Sequence, residues 1–308
     1  MDTLIITDVA PRDGLQNQPT FVPTEAKLEL IRLLHAAGVP SIEACSFVSP
    51  KAVPQMADAA ELMAAVGRRL PELRTSALVP NQKGLERAHA AGVREVAVVL
   101  SATETMNQKN INMDLARATA VCEDTLQAAR ALQLRTRAYV AVAFDCPFEG
   151  PTPLNTVLRL AIRMARAGAD EIVIADTIGS ASPGTVKTRF DALAGELPVA
   201  TLAAHFHDTR GMAVANAWAA IQAGIRRLDA SVGGIGGCPF APGAAGNAAT
   251  EDLVLMAEGS GLHTGISLSG LLKAVTFAQA QLGRELGGRS MAWLRRRYAG
   301  HDAVPASS

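Results

Sequence analysis

Two histidines one residue apart, His205 and His207, close the apolar run Leu202-Ala203-Ala204-His205-Phe206-His207-Asp208-Thr209. In an extended chain, side chains two positions apart share a face, so both imidazoles can reach one cation without bending the backbone. The bland alternative is a hydrogen-bonded histidine pair at a strand end. Of the six histidines, His35 and His89 have a simpler duty. Each lies in a His-Ala-Ala-Gly-Val phrase, where a donor side chain suits the free carbonyls of a helix end and Gly38 or Gly92 supplies the stop.

Further polar groups fall at the ends of other apolar runs. Pro11-Arg12-Asp13-Gly14-Leu15-Gln16-Asn17 follows the first run, Glu43 lies in the second, and Asp176-Thr177 ends the sixth. Gly233-Gly234-Ile235-Gly236-Gly237-Cys238-Pro239 follows the eighth, and Asn247 stands just ahead of a helical segment. Asp13, His205, His207 and Asn247 would together offer a carboxylate oxygen, imidazole nitrogens and an amide oxygen. That mixture suits Mg2+ or Mn2+, with positions left for substrate, better than the sulfur-rich set of structural zinc. Taken singly, Asp13 and Asn247 could equally cap turns or helices. The glycine-rich stretch reads as a pliable connection or as a flap carrying Cys238 over the site, and Cys238 could also be an inert small hydrophobe.

The elements that must position these groups alternate in type. Short β-rich runs are expected at Leu4–Thr7, Ser41–Ala44, Thr75–Val79, Glu95–Leu100, Arg137–Phe144, Glu171–Ala175, Leu202–Phe206 and Leu228–Val232. Helical spacing follows them, as at Thr24–Ala37, Gln82–Ala91, Asp114–Leu132, Leu154–Ala167, Pro183–Leu197, Met212–Ala223 and Ala248–Ser260. The phrases Ala37-Gly38-Val39, Ala91-Gly92-Val93, Ala167-Gly168-Ala169 and Ala223-Gly224-Ile225 repeat one small-residue stop, as if one βα unit were reused. Apolar strands joined by helices imply a parallel sheet, and eight units of this size imply an α/β fold of the (β/α)8 TIM-barrel type. A doubly wound open sheet is the runner-up.

The expected division is a barrel over 1–262, a short C-terminal helical appendage over 263–300 and a disordered tail over 301–308. In the appendage, Ser267–Glu285 and Met291–Tyr298 are helical in pattern, with apolar residues such as Leu271, Leu272, Val275 and Phe277. These could cover the barrel or make a homodimer contact.

Composition narrows the partners. The 308 residues are 49% hydrophobic, enough to bury a large core, and 29 Lys and Arg balance 29 Asp and Glu, so no overall field draws nucleic acid or an anionic membrane. Aromatics are only 4%, too few for base-stacking surfaces. Cys45, Cys122, Cys146 and Cys238 form no CxxC pair, the start of the chain lacks the features of a secretory signal, and no apolar stretch is long enough to span a bilayer. The expectation is a cytoplasmic protein.

From about Asp8 to Leu272 the chain resembles the hydroxymethylglutaryl-CoA lyase family, within the wider group of metal-dependent barrel lyases and Claisen-type synthases. The resemblance rests on Ala10-Pro11-Arg12-Asp13-Gly14-Leu15-Gln16-Asn17, Glu43-Ala44-Cys45-Ser46-Phe47-Val48-Ser49-Pro50-Lys51 and Lys109-Asn110-Ile111-Asn112. It continues through Asp176-Thr177-Ile178-Gly179, the two-histidine run, Gly236-Gly237-Cys238-Pro239 and Gly246-Asn247-Ala248-Ala249-Thr250-Glu251-Asp252. It implies a divalent-metal-dependent retro-Claisen cleavage of 3-hydroxy-3-methylglutaryl-CoA to acetyl-CoA and acetoacetate. Carried onto matching positions, Asp13, His205, His207 and Asn247 would hold the cation, Arg12 would face the thioester oxygen and Cys238 would close over the site.

Chemistry agrees with that carry-over. Cleavage needs loss of the tertiary hydroxyl proton, served by Asp13 or Glu43 with His205 as a second candidate, and charge stabilisation on the thioester, served by Arg12. Cys238, or a group it positions, could return a proton to the enolate. Glu43 could instead simply orient Arg12. Gln16 and Asp176 are expected to contact substrate or the groups around it.

Two positions depart from the family pattern, Gln18 in place of a glutamate and Asp145 in place of a glycine. The extra carboxylate leaves a related 3-hydroxyacyl-CoA as an alternative substrate. A Claisen synthase would use similar groups in reverse but usually carries a long extra domain. A sensor that binds metal or acyl-CoA would not need Arg12, Asp13, Glu43 and Cys238 together.

Overall fold

Eight parallel strands close on one another in chain order, the first pairing with both the second and the eighth. The computed structural model describes residues 2–237 and 246–299. The strands are Ile5–Asp8, Ser41–Ser46, Arg74–Leu78, Glu95–Ser101, Arg135–Ala141, Glu171–Asp176, Leu202–Phe206 and Arg227–Ala230, and helices lie between them, so the (β/α)8 barrel is the fold. Its core is the aliphatic layer between strands and helices, from Leu4 and Ile6 through Ile172 and Ile174 to Leu253 and Val254. Among the described residues no helix is long and apolar enough to cross a membrane.

Local chemistry sets the helix limits. Asn81, Asp114 and Ser267 each accept a backbone N–H at a helix start, and Ser182 with Thr185 forms a reciprocal cap ahead of Pro183–Ala194. At the far ends, the repeated stops place Gly38, Gly92, Gly168 and Gly224 at φ of 91°, 81°, 105° and 94°, where a side chain would be strained. Two helices had no counterpart among the named expectations, Ala59–Arg69 and Glu104–Ile111.

Two strands end two or more residues short of their apolar patterns. The fifth stops at Ala141 because Val142 adopts φ 46°, after which Asp145–Cys146 and Gly150–Pro151 pair as a small antiparallel hairpin. The eighth stops at Ala230, and Gly233 and Gly234 then turn the chain at φ 68° and 64°.

The C-terminal helix Leu268–Leu282 packs on the first helix, Thr24–Ala36, with Leu271 and Val275 buried and Leu272 and Phe277 half-buried. Its neighbour Met291–Tyr298 is tied back to the barrel by carboxylates. Asp252 accepts the backbone N–H groups of Arg289 and Ser290, and Glu251 accepts Gly288 N–H with one oxygen and Gly233 N–H with the other. The glycine-rich loop and the C-terminal segment are thus pinned by one buried side chain. The expected disordered tail at 301–308 lies outside the described residues.

The barrel interior is polar. Ala97, Tyr139, Val173 and Ala203 form a small apolar cluster of their own, and beside Tyr139 sits Arg137, only 2% exposed. Arg137 Nε donates to Glu171 at 2.7 Å, one terminal nitrogen to Asp229 at 2.7 Å and the other to the Tyr139 hydroxyl at 3.0 Å. That hydroxyl lies 2.8 Å from Asp229 Oδ2 and 3.1 Å from Glu43 Oε2, so the chain of contacts continues toward the mouth.

Two stability measurements follow from these contacts. Arg137→Met leaves buried Asp229 with no arginine partner and Glu171 with only the longer contact to Arg227, and urea unfolding is expected to show a loss of about 3–5 kcal/mol. Burial raises the Glu251 carboxyl from 4.5 to about 7. Between those values the folded state holds the proton more tightly than the unfolded one, so the group's contribution is full below the unfolded pKa and is lost as pH rises through the folded one. Wild type should therefore lose stability relative to Glu251→Gln as pH rises from about 5 to about 8, by no more than about 1.4 kcal/mol per pH unit. A pH-independent difference between the two urea midpoints would contradict this.

Candidate metal and active site

The first strand runs into one wide turn, in which the N–H groups of Arg12, Asp13 and Gly14 all point at the carbonyl of Val9, at 3.2, 2.8 and 3.2 Å. Wide turns of this kind put successive side chains where a regular helix would not. Here the turn sets Arg12 against Asp13, with a 2.6 Å contact from the guanidinium to Oδ1, while Arg12 Nε donates to Glu43 in the second strand. Both side chains thus reach the C-terminal mouth of the barrel, the end at which barrel enzymes place their chemistry.

His205 and His207 come to the same point from the seventh strand. One potential ligand atom from each of Asp13, His205 and His207 lies within 4.8 Å of the others. The two rings are 5.2 Å apart between centroids and both residues are 5% exposed. Asn247 joins from the other side of the glycine-rich loop, where it bridges His207 along the backbone. Its Nδ2 donates to Asp13 Oδ2 at 2.8 Å and to the Ile235 carbonyl at 3.1 Å. Gly236 makes this approach feasible, since a Cβ there would stand 2.6 Å from Asn247 Nδ2.

These residues fit a divalent cation. Asn247 Oδ1 and His207 Nδ1 are both buried with no hydrogen-bond partner, a costly state for two polar atoms unless something else meets their lone pairs. Charge points the same way. Along the connected network three arginines, Arg12, Arg137 and Arg227, face four carboxylates, Asp13, Glu43, Glu171 and Asp229, so with the His205 imidazole neutral one negative charge is left for a cation.

His207 and Asp13 hold the protonation states of ligands. Burial, and then His205 beside it, pushes His207 down to about 4, so it is a neutral imidazole near pH 7. Burial alone would raise Asp13, but Arg12, then His205 and His207, hold its carboxyl below the ordinary range. His205 is also buried, yet Asp229 and Asp13 lift it above its usual value.

The remaining candidate residues are placed as follows. Gln16 Nε2 lies 3.4 Å from Asp13 Oδ1, at the edge of the cluster. Asp176 ends the sixth strand with both oxygens taken by its own loop, accepting from Ser180 N–H at 2.9 Å and Ala181 N–H at 3.0 Å. Glu43 is fully buried between Arg12 and Tyr139. Cys238 lies outside the described residues.

Of the two unusual positions, Gln18 is structural. Its amide donates to the Gly14 carbonyl at 2.9 Å and accepts from Arg284 at 3.3 Å. Asp145 lies in the hairpin after the fifth strand, with one buried oxygen that has no partner.

Sequence reasoning missed Arg137, Tyr139, Asp229, Asn17 and Glu251. The first three carry a signal, a polar residue inside an otherwise apolar strand, but only closure of the barrel shows that they meet. Asn17 Nδ2 donates to the Gly237 carbonyl at 3.1 Å and so links the first loop to the glycine-rich one, a contact across 220 positions that no local pattern announces.

With the geometry in place, comparisons identify relatives. The chain is 45% identical over 284 residues to the mitochondrial hydroxymethylglutaryl-CoA lyase of Rattus norvegicus, covering 92% of this chain and 87% of that one. It is 42% identical over 286 residues to the hydroxymethylglutaryl-CoA lyase of Bacillus subtilis, covering 93% and 95%. The crystal structure of a Bacillus subtilis HMG-CoA lyase superposes with a TM-score of 0.92 at 41% identity, covering 96% of this chain and 99% of that one. An Acinetobacter baumannii HMG-CoA lyase, solved in complex with coenzyme A and 3-methylmalate, gives 0.90 at 38% identity, covering 100% and 98%.

The expected cytoplasmic location does not stand against these relatives, since most of them, including the rat lyase above and those from cattle, mouse and chicken, are mitochondrial, although a second rat relative is cytoplasmic. Cys45, Cys122 and Cys146 are buried and free. Unpaired thiols show only that these sites need no disulfide, and do not distinguish one reducing compartment from another. The HMGL-like family model matches residues 3–277, and with relatives this similar across nearly its whole length the chain belongs to the HMGL-like family.

Proposed function

We propose that this chain is a hydroxymethylglutaryl-CoA lyase, cleaving 3-hydroxy-3-methylglutaryl-CoA to acetyl-CoA and acetoacetate. The observation that carries the reading is the Arg12–Asp13 pair set against His205 and His207 at the barrel mouth, in a member of this family. The reaction breaks the C2–C3 bond of the acyl group. Its electron pair moves onto the thioester as an enolate, the C3 hydroxyl loses its proton and becomes the ketone of acetoacetate, and a proton on C2 completes acetyl-CoA.

Asp13, His205, His207 and Asn247 would hold Mg2+ or Mn2+, which when bound supplies Lewis-acid polarisation of the substrate oxygens. Arg12 faces the thioester oxygen, where its fixed positive charge stabilises the enolate. Burial works against that charge, but Glu43 and Asp13 outweigh it and keep the guanidinium protonated. Between the two carboxylates that could take the hydroxyl proton, Asp13 is the more accessible, its side chain 15% exposed against 0% for Glu43. Glu43, bound to Arg12 and Tyr139, is assigned to holding Arg12 in place. His205, the second candidate, is set aside as the base, because one ring nitrogen faces Asp229 and a nitrogen that holds the cation cannot also take a proton. Cys238, carried by the glycine-rich loop, is assigned to the protonation of C2. Gln16 reaches substrate beside Asp13, and Asp176 acts on it through the turn that it shapes.

A related 3-hydroxyacyl-CoA is the second reading, favoured by the unpartnered carboxylate oxygen of Asp145.

The decisive assay follows acetyl-CoA and acetoacetate separately with Mg2+ or Mn2+, with and without chelator. Both products should appear together, vanish with chelator and return with added cation. Cation binding without turnover would overturn the assignment. Arg12→Met should lower kcat by about 10²–10³-fold. Mn2+ affinity in that variant should change by less than about tenfold, because all four ligands stay and the lost support of Asp13 is offset by removal of a positive charge beside the cation. Equal loss of both would make Arg12 structural. His207→Ala should raise the cation concentration needed for half-maximal activity, and an unchanged requirement would remove His207 from the ligand set.

A further inference from the structure

The two imidazoles of the cluster are not equivalent. His205 Nδ1 lies 3.3 Å from Asp229 Oδ2, whereas His207 Nδ1 is buried with no partner at all. Asp229 stands in the eighth strand in direct register with His205 in the seventh, so the contact is set by the sheet ladder rather than by a flexible loop. The carboxylate is anchored in turn. Arg137 donates to its Oδ1 at 2.7 Å and the Tyr139 hydroxyl lies 2.8 Å from its Oδ2, while Asp229 itself is only 2% exposed. Neither Arg137 nor Tyr139 belongs to the Asp13–His205–His207 cluster, although the Tyr139 ring packs edge-on against His205 at 6.2 Å.

We propose that Asp229 is the positioning residue for His205: it accepts the Nδ1–H, fixes the ring in the tautomer whose bare nitrogen is Nε2, and so sets the affinity of the site for a divalent cation. This rests on the metal reading above. Imidazole ligands commonly give their other ring N–H to a carboxylate, which orients the ring and raises its basicity, and loss of that partner typically weakens metal binding by about 10–100-fold. The asymmetry assigns the two histidines different work. His205 is held by the interior of the barrel before any cation arrives, and His207 is held from the mouth, by the backbone bridge to Asn247.

The competing role for Asp229 is that of a counter-ion for Arg137, which would affect stability but neither the tautomer of His205 nor the cation affinity. Mn2+ binding, measured by electron paramagnetic resonance of free Mn2+ in titrations of wild type and Asp229→Asn, separates the two. The asparagine keeps the shape and an acceptor but can turn its amide N–H toward the imidazole. The expected result is a 10–100-fold rise in Kd for Mn2+ in a variant with wild-type circular dichroism. A Kd within twofold of wild type overturns the proposal while leaving the metal reading intact. Wild type that binds no Mn2+ overturns both.

A second measurement needs no variant at Asp229 to fold. In 15N-histidine spectra of chelator-treated wild type above pH 8, the His205 signals are those missing from His205→Gln. They should report a protonated Nδ1 and a bare Nε2, and the opposite tautomer overturns the proposal.

Discussion

The constraint on which the site depends is the stack of charges that fills the barrel. Most barrels of this type are packed inside with layers of branched aliphatic side chains. Here Arg137, Tyr139, Asp229, Glu171 and Glu43 occupy that space, joined by contacts from 2.7 to 3.9 Å. Buried charges are tolerated only when paired and hydrogen-bonded, so each member confines its neighbours to a narrow set of positions. The effect is directional. Glu171 and Arg137 lie deep, Asp229 and Glu43 come next, and His205 and Arg12 sit at the mouth with one flank already engaged.

That arrangement explains how a site built from four separate elements can be made ready without its ligands. Arg12 is aimed by Glu43 and Asp13, and His205 leans on Asp229. Within the cluster, His207 Nδ1 and Asn247 Oδ1 are buried with no hydrogen-bond partner among the described residues. The site thus keeps open polar atoms where a cation and an oxygen-rich substrate would be met.

The C-terminal helices share in this organisation. Through Glu251 and Asp252 they are tied to the stem of the glycine-rich loop, and through Leu271 and Val275 they cover the barrel's outer side. Burial raises Glu251 because no cation faces it, and its oxygens are met by backbone N–H groups instead. A loop with glycines at positive φ has little stiffness of its own, so its position is set by what grips its ends.

The sequence by itself determined the sequence of elements and the chemical set. The period of the apolar runs, the repeated glycine stops and the two-residue spacing of His205 and His207 are local features, and local sterics and side-chain alternation make them legible. The strand limits were less so, because Val142 and Gly233 end strands through backbone conformations that hydrophobicity does not encode. Tertiary structure alone decided which polar residues meet. Asp229 and His205 are 24 positions apart, Tyr139 and Glu43 are 96, and Asn247 and Asp13 are 234. Such pairs form because the barrel closes with one register, and a charge buried by that closure must find its partner wherever the closed sheet puts it.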